Sequence, residues 1–172
     1  MPRHLASCFL LLVSLFLQAG CVSYQLGPSS GLEAGAQTIE IAPFPNQTEE
    51  PRLSPVVASA MRRQIQSDGT FQLDTRRKGD LKVTGQITEY LRVGVTFQPG
   101  DISTIRDFEL RMTARVKVQN RRTGEVMLDR PVTGRTLIRA FNDLASAERQ
   151  ALPSLADDLA QNITDMIVDG AW

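Results

Sequence analysis

Phe108-Glu-Leu-Arg-Met-Thr-Ala-Arg-Val-Lys-Val118 alternates apolar and polar side chains without an error. Phe108, Leu110, Met112, Ala114, Val116 and Val118 share one parity; Glu109, Arg111, Thr113, Arg115 and Lys117 share the other. A period of two marks an extended strand with one buried face, because successive side chains of a strand point to opposite sides. Eleven residues at about 3.3 Å each make a strand of roughly 36 Å. Downstream, Asn120-Arg-Arg-Thr-Gly-Glu125 reads as a hairpin turn and Val126 as the start of the return strand. Pro131 puts that strand at a sheet edge or a bulge, since proline donates nothing to a ladder.

The same period runs upstream. Leu81, Val83, Gly85, Ile87, Leu91, Val93, Val95 and Phe97 occupy odd positions, with Glu89 the one polar exception. A second long strand follows, its odd apolar row expected to face the core, with a bend or break near Glu89 left open. Gln98-Pro-Gly-Asp101 then forms a turn or a longer, mobile loop. Before these strands, Ser54 can cap a helix and Pro55 suits its first position. Val57, Ala60, Met61 and Ile65 give that helix an apolar stripe, and Asp68-Gly69 stops it. Gln37 to Ala42 is a short strand closed by Pro43, and Phe44 to Pro51 a turn-rich loop.

The chain closes with a helix from about Ser146 to Val168, striped by Leu152, Leu155, Leu159, Ile163, Met166 and Ile167. Pro153 kinks it or marks its true start, with Ser154-Leu-Ala-Asp157 as a capping box. Strands with one apolar face need a cover, which two amphipathic helices supply. The expectation is an α+β two-layer sandwich over residues 37–172.

The first 20 residues read as an address. Arg3 and His4 precede an uncharged run of 13 residues from Leu5 to Leu17. That is short of the roughly 20 a spanning helix needs, so a removed signal peptide fits better. It ends in Gln18-Ala19-Gly20-Cys21, which resembles the lipobox of bacterial lipoproteins and makes Cys21 the expected lipidated residue. Several acyl chains anchor stably where one is marginal, at ~0.8 kcal/mol per buried methylene. Residues 21–36, rich in Gly and Ser after the cysteine, read as a flexible tether. Cys8 leaves with the signal, so no disulfide is expected within the mature chain.

Composition narrows the chemistry. At 42% hydrophobic and 22% charged the chain is ordinarily globular. With 19 basic and 19 acidic side chains, no overall basic balance argues for nucleic acid. The single histidine, His4, lies in the signal segment, which excludes histidine triads and histidine metal sites from the mature protein. No nucleophile elbow, phosphate-binding glycine loop or metal-ligand cysteine spacing is present. Asp157, Asp158 and Asp165 read as the solvated side of a helix, and Asp101, Asp107 and Glu109 match no calcium loop. The expectation is a protein with no enzymatic activity, no cofactor and no metal.

Charge is nevertheless segregated. Residues 106–139 hold nine basic side chains against four acidic ones, whereas residues 140–172 hold six acidic against Arg149 alone. The basic stretch is either a solvated sheet face or a docking surface for an anionic ligand, for which arginine forks suit phosphates.

Four segments resemble one known family. They are Cys21-Val-Ser-Tyr-Gln-Leu-Gly27, Ile39-Glu-Ile-Ala-Pro-Phe-Pro-Asn-Gln-Thr-Glu-Glu-Pro51, Gly79-Asp-Leu-Lys-Val-Thr-Gly-Gln-Ile-Thr-Glu-Tyr90, and Phe108 to Val118 with the Arg-x-Thr-Gly hairpin after it. In order and spacing they are similar to the lipopolysaccharide-assembly lipoprotein family LptE. The resemblance implies two helices packed on one face of a four-stranded, mainly antiparallel sheet. It implies a lipid-anchored protein on the periplasmic face of the outer membrane, which plugs the LptD β-barrel and assists lipopolysaccharide insertion. The basic stretch then acquires lipopolysaccharide as its ligand, with contacts expected on Arg111, Arg115, Lys117, Arg121 and Arg122 from charge and strand parity. Related periplasmic lipoproteins share some of these segments. An accessory of a peptidoglycan synthase or of a secretion or flagellar assembly is therefore the alternative.

Overall fold

The computed structural model describes residues 37–98, 101–139 and 143–170. The signal segment, Cys21, the tether, residues 99–100 and 140–142 and the final Ala171-Trp172 lie outside the described residues. In chain order the elements are β1 (Gln37–Ile41), α1 (Leu53–Asp68), β2 (Phe71–Leu73), β3 (Leu81–Gln98), β4 (Asp101–Asn120), β5 (Val126–Arg139) and α2 (Leu144–Val168). The strands form one sheet in the order β2-β1-β3-β4-β5.

The expected α+β class and both helices are present, but the sheet has five strands and is mixed. β1 runs parallel to β2 on one side and to β3 on the other, while β3, β4 and β5 pair antiparallel. β2, the strand missing from the sequence reading, has three residues and is too short to show a period. Its parallel pairing follows from α1, the crossover that carries the chain back to the same end of the sheet.

The β4 reading is accurate face by face. Leu110, Met112, Ala114, Val116 and Val118 are fully buried. They join Ile39, Phe44, Met61, Leu155, Leu159 and Ile163 in a single core between sheet and helices. Apart from Ala114, each such side chain contributes about 1.5–3 kcal/mol by leaving water. β5 is the edge strand, as Pro131 foretold.

The helix ends differ from expectation. Ser54 does not cap α1; its hydroxyl donates to the Phe44 carbonyl at 2.6 Å, tying the helix to the preceding loop. The stop at Gly69 is as read, with φ +76° and its N–H on the Ile65 carbonyl at 3.2 Å. α2 begins at Leu144, where the Asp143 carboxylate accepts the Ser146 N–H at 3.1 Å. Pro153 therefore lies inside the helix and Ser154 starts nothing.

β3 breaks its own period. Ile87 pairs with Ala114 and Glu89 with Thr113, leaving Thr88 as the extra residue of a β-bulge. The odd positions Leu81, Val83 and Ile87 face the core before it. Beyond it the parity inverts: Tyr90 packs against the core, and Leu91, Val93 and Val95 turn outward, 40% to 47% exposed. The expectation that all odd positions from 81 to 97 share the core face is corrected accordingly. One extra unpaired residue in a strand exchanges its two faces.

Candidate partner and ligand surface

The outer face of the sheet, away from the helices, collects the odd residues of β4 and the polar ones of β5. Its character changes along the strands. From Lys117 to Glu109 the distance is about 27 Å, eight residues at ~3.4 Å.

Around the β4–β5 hairpin the surface is basic, and the turn that holds it is firmly built. Asn120 Oδ1 accepts the N–H groups of Arg122 at 2.9 Å and Thr123 at 3.1 Å. Gly124 takes φ +76°, where a side chain would be strained, and its N–H reaches the Asn120 carbonyl at 2.8 Å. The hairpin is also tied to the rest of the sheet, through the Arg121 N–H on the Asp80 carbonyl at 2.8 Å.

The five sequence-predicted contact residues share the β4 strand and its hairpin but not one environment. Arg111 Nη2 meets Glu109 at 2.5 Å, and its Nε is buried with no hydrogen-bond partner. Arg115 Nε meets Asp129 on β5 at 2.8 Å. The Arg121 guanidinium leans onto the buried Glu40 carboxylate of β1. Among the described residues, Lys117 and Arg122 have no carboxylate within ion-pair distance. Exposed pairs such as Arg115–Asp129 contribute about 0–1 kcal/mol to stability.

Toward the other end the outer face adds exposed aliphatic side chains to its ion pairs. Leu91, Val93 and Val95 of β3 stand on one side of β4, and Leu137 of β5, 70% exposed, on the other. Val93, Glu109 and Leu137 fall in one cross-strand row, so the two aliphatic side chains flank the Glu109–Arg111 pair about 10 Å apart. Sequence parity had assigned the β3 residues to the core and had not marked Leu137. Glu89, the one polar residue in the odd row, marks in the sequence the place where the inversion falls.

No arrangement of three or more His, Cys, Asp or Glu side chains suited to a metal ion occurs among the described residues. No helix among them is long and apolar enough to cross a membrane.

Comparison with known proteins bears on both fold and role. The family model described as LptE, lipopolysaccharide-assembly, matches residues 36–167. No curated protein matches the chain. Among solved structures, protein XCC0632 from Xanthomonas campestris is similar at TM-score 0.62 and 8% identity, covering 84% of this chain and 91% of that one. Hypothetical protein CT253 from Chlamydia trachomatis is similar at TM-score 0.56 and 11% identity, covering 78% and 96%. A minor lipoprotein from Acinetobacter baumannii is similar at TM-score 0.52 and 16% identity, covering 78% and 94%. At such identities these likenesses establish the fold alone.

Proposed function

The chain belongs to the LptE family of lipopolysaccharide assembly, and from that premise we propose that it is a lipoprotein anchored through Cys21 to the periplasmic face of the outer membrane, seated in an LptD-like β-barrel, where it assists lipopolysaccharide insertion. The observation that carries this reading is the family match, which runs from the start of β1 nearly to the end of α2. The role is one of binding and positioning, with no covalent step.

The two ends of the outer face divide that work. The aliphatic strip of Leu91, Val93, Val95 and Leu137 is the surface assigned to the barrel wall, because a soluble β-sheet has little reason to leave four large aliphatics outside its core. The hairpin end is assigned to lipopolysaccharide phosphates. There Lys117 and Arg122 offer unpaired charge, and Arg115 and Arg121 offer charge already shared with a neighbouring carboxylate, whereas Arg111 lies at the other end, among the aliphatic side chains.

Affinity recovery of the tagged full chain from membranes, with mass spectrometry of its partners, tests the reading. A large outer-membrane barrel is expected in near-equal amount. Leu91→Asp with Leu137→Asp is expected to reduce that recovery at least tenfold, and Cys21→Ala to release the protein from the membrane fraction. Recovery of peptidoglycan synthases or a secretion ring in place of a barrel would overturn it.

A further inference from the structure

We propose that a cleft beside β1, which shares only Arg121 with the hairpin end of the outer face, binds a phosphate group. The cleft has a volume of about 670 Å³ and is walled by Arg62, Arg77, Lys82 and Arg121 with Glu40 and Asp74. Both acids are already engaged. Glu40 is met by Arg121, and the Asp74 carboxylate accepts the backbone N–H groups of Arg76 at 2.7 Å and of Lys78. Those two N–H bonds hold the Asp74 carboxyl below the usual carboxylate range, so it stays ionised and keeps its loop closed. Arg62, Arg77 and Lys82 have no carboxylate partner among the described residues. Four cations against two carboxylates leave the cleft a net charge of +2, and two of the three cations outside an ion pair are guanidinium forks whose geometry matches phosphate oxygens.

The loop that carries Arg77 is built to hold it there. Arg77 has φ +59°, the one positive φ outside glycine among the described residues. A side chain held in that region needs surroundings that over-determine it. Here they do. The Asp74 N–H bonds the Ile39 carbonyl at 2.8 Å. Gly79 presses so close that an added Cβ would stand 2.6 Å from the Glu40 nitrogen. The Asp80 carboxylate accepts both the Thr38 N–H at 3.0 Å and its hydroxyl at 2.7 Å. The loop is therefore fastened to β1 before and after Arg77, and its strained residue is a cation facing a cleft. A cleft of this volume accommodates a phosphorylated headgroup or sugar phosphate. The inference stands apart from the barrel reading and would survive failure to recover a barrel.

The test is ³¹P NMR of the full chain in non-ionic micelles, titrated with inorganic pyrophosphate in one arm. In the other arm the micelles are doped with phosphatidic acid. A saturable response is expected in at least one arm; pyrophosphate alone assigns a soluble phosphate, and phosphatidic acid alone a lipid headgroup. Arg77→Gly and Lys82→Gln are each expected to weaken that response at least tenfold, while Arg149→Gln on α2 leaves it unchanged. Arg77→Gly doubles as its own folding control, because glycine adopts φ +59° freely and the melting temperature should hold or rise. No saturable response in either arm, or an undiminished one in both cleft variants, overturns the proposal.

Discussion

At the scale of single residues, the Pro-Phe-x-Asn-x-Thr segment is a clasp whose closure depends on a glycine. Asn46 Oδ1 accepts the N–H of Thr48 at 3.0 Å and its hydroxyl at 2.9 Å, and Nδ2 donates to the Glu50 carbonyl at 2.6 Å. That fold-back lets Pro45 accept from the Ile87 N–H at 2.8 Å and Gln47 donate to the Ile87 carbonyl at 2.9 Å, gripping β3 just before its bulge. Phe44, fully buried, lies over Gly85, where an added Cβ would stand 2.1 Å from ring atom Cε1. Gly85→Ala must therefore displace a ring that has nowhere to go. Overpacking of this kind costs about 1–3 kcal/mol, and the melting temperature should fall by roughly 3–5 °C per kcal/mol. Thermal denaturation of Gly85→Ala alone and with Phe44→Leu measures it; the smaller side chain should restore part of the loss. Equal melting of Gly85→Ala and the parent chain would refute the close approach. The glycine was visible in the sequence as a member of the odd apolar row, but the ring opposite it was not, because the pair is brought together only by the tertiary clasp.

At the scale of elements, legibility followed the regularity of each strand. β4 was readable because one inner row, Leu110 to Val118, is buried without interruption and its β5 partner keeps register through it. The faces of β3 were readable only as far as Ile87: Glu89 marks where the row could break, but the bulge at Thr88 is a register event whose outcome shows only in the pairing. β2 was not readable at all, its three residues being recruited by pairing with β1. The acidic helix was half legible. Asp158 does more than solvate α2: its carboxylate accepts the Arg135 N–H at 2.7 Å, and Asn162 donates to the Thr133 carbonyl at 3.0 Å. Helix side chains thereby occupy ladder positions that an edge strand would otherwise leave open. The bulge itself yields a prediction. Deleting Thr88 makes Ile87 and Glu89 successive while preserving their partners Ala114 and Thr113, so every later side chain keeps its face. The loss is confined to one hydrogen bond, Thr88 Oγ1 to the Thr113 carbonyl at 3.2 Å, worth about 0.5–1.5 kcal/mol. Deleting Thr84, inside the regular ladder, instead sets the strand out of phase with either the β1 side or the β4 side. Urea unfolding is expected to show a near-parental midpoint for the first deletion and no cooperative transition for the second. Comparable stability of the two would mean that Thr88 is not the extra residue.

At the scale of the whole molecule, the outer face has a direction, basic at the hairpin and aliphatic beyond the bulge, and only the basic half was legible before the fold was in view. Charge is countable in a sequence, whereas the aliphatic half exists because a bulge moved core-parity residues outward. The fold also separates the five basic candidates by what their loss would do. Arg121 covers Glu40, whose side chain is only 9% exposed, so reversing Arg121 sets a second negative charge against a buried one. A loss of binding in that variant would report misfolding as readily as a lost contact. Lys117 and Arg122 carry no such duty and are the informative pair. Lys117→Glu with Arg122→Glu should leave thermal unfolding within a degree or two of the parent chain, since solvated surface charges contribute little to stability. Lipopolysaccharide binding by the same variant should weaken on the order of tenfold, and the parent's affinity should fall with added salt as exposed charges are screened over about 10 Å. Binding measured across a salt series separates the possibilities. If the variant loses both affinity and salt dependence, the hairpin end holds the phosphates. If it keeps both, the polar end of lipopolysaccharide lies elsewhere on the molecule, and the basic hairpin is a solvated face whose charge serves only to keep the sheet apart from other sheets.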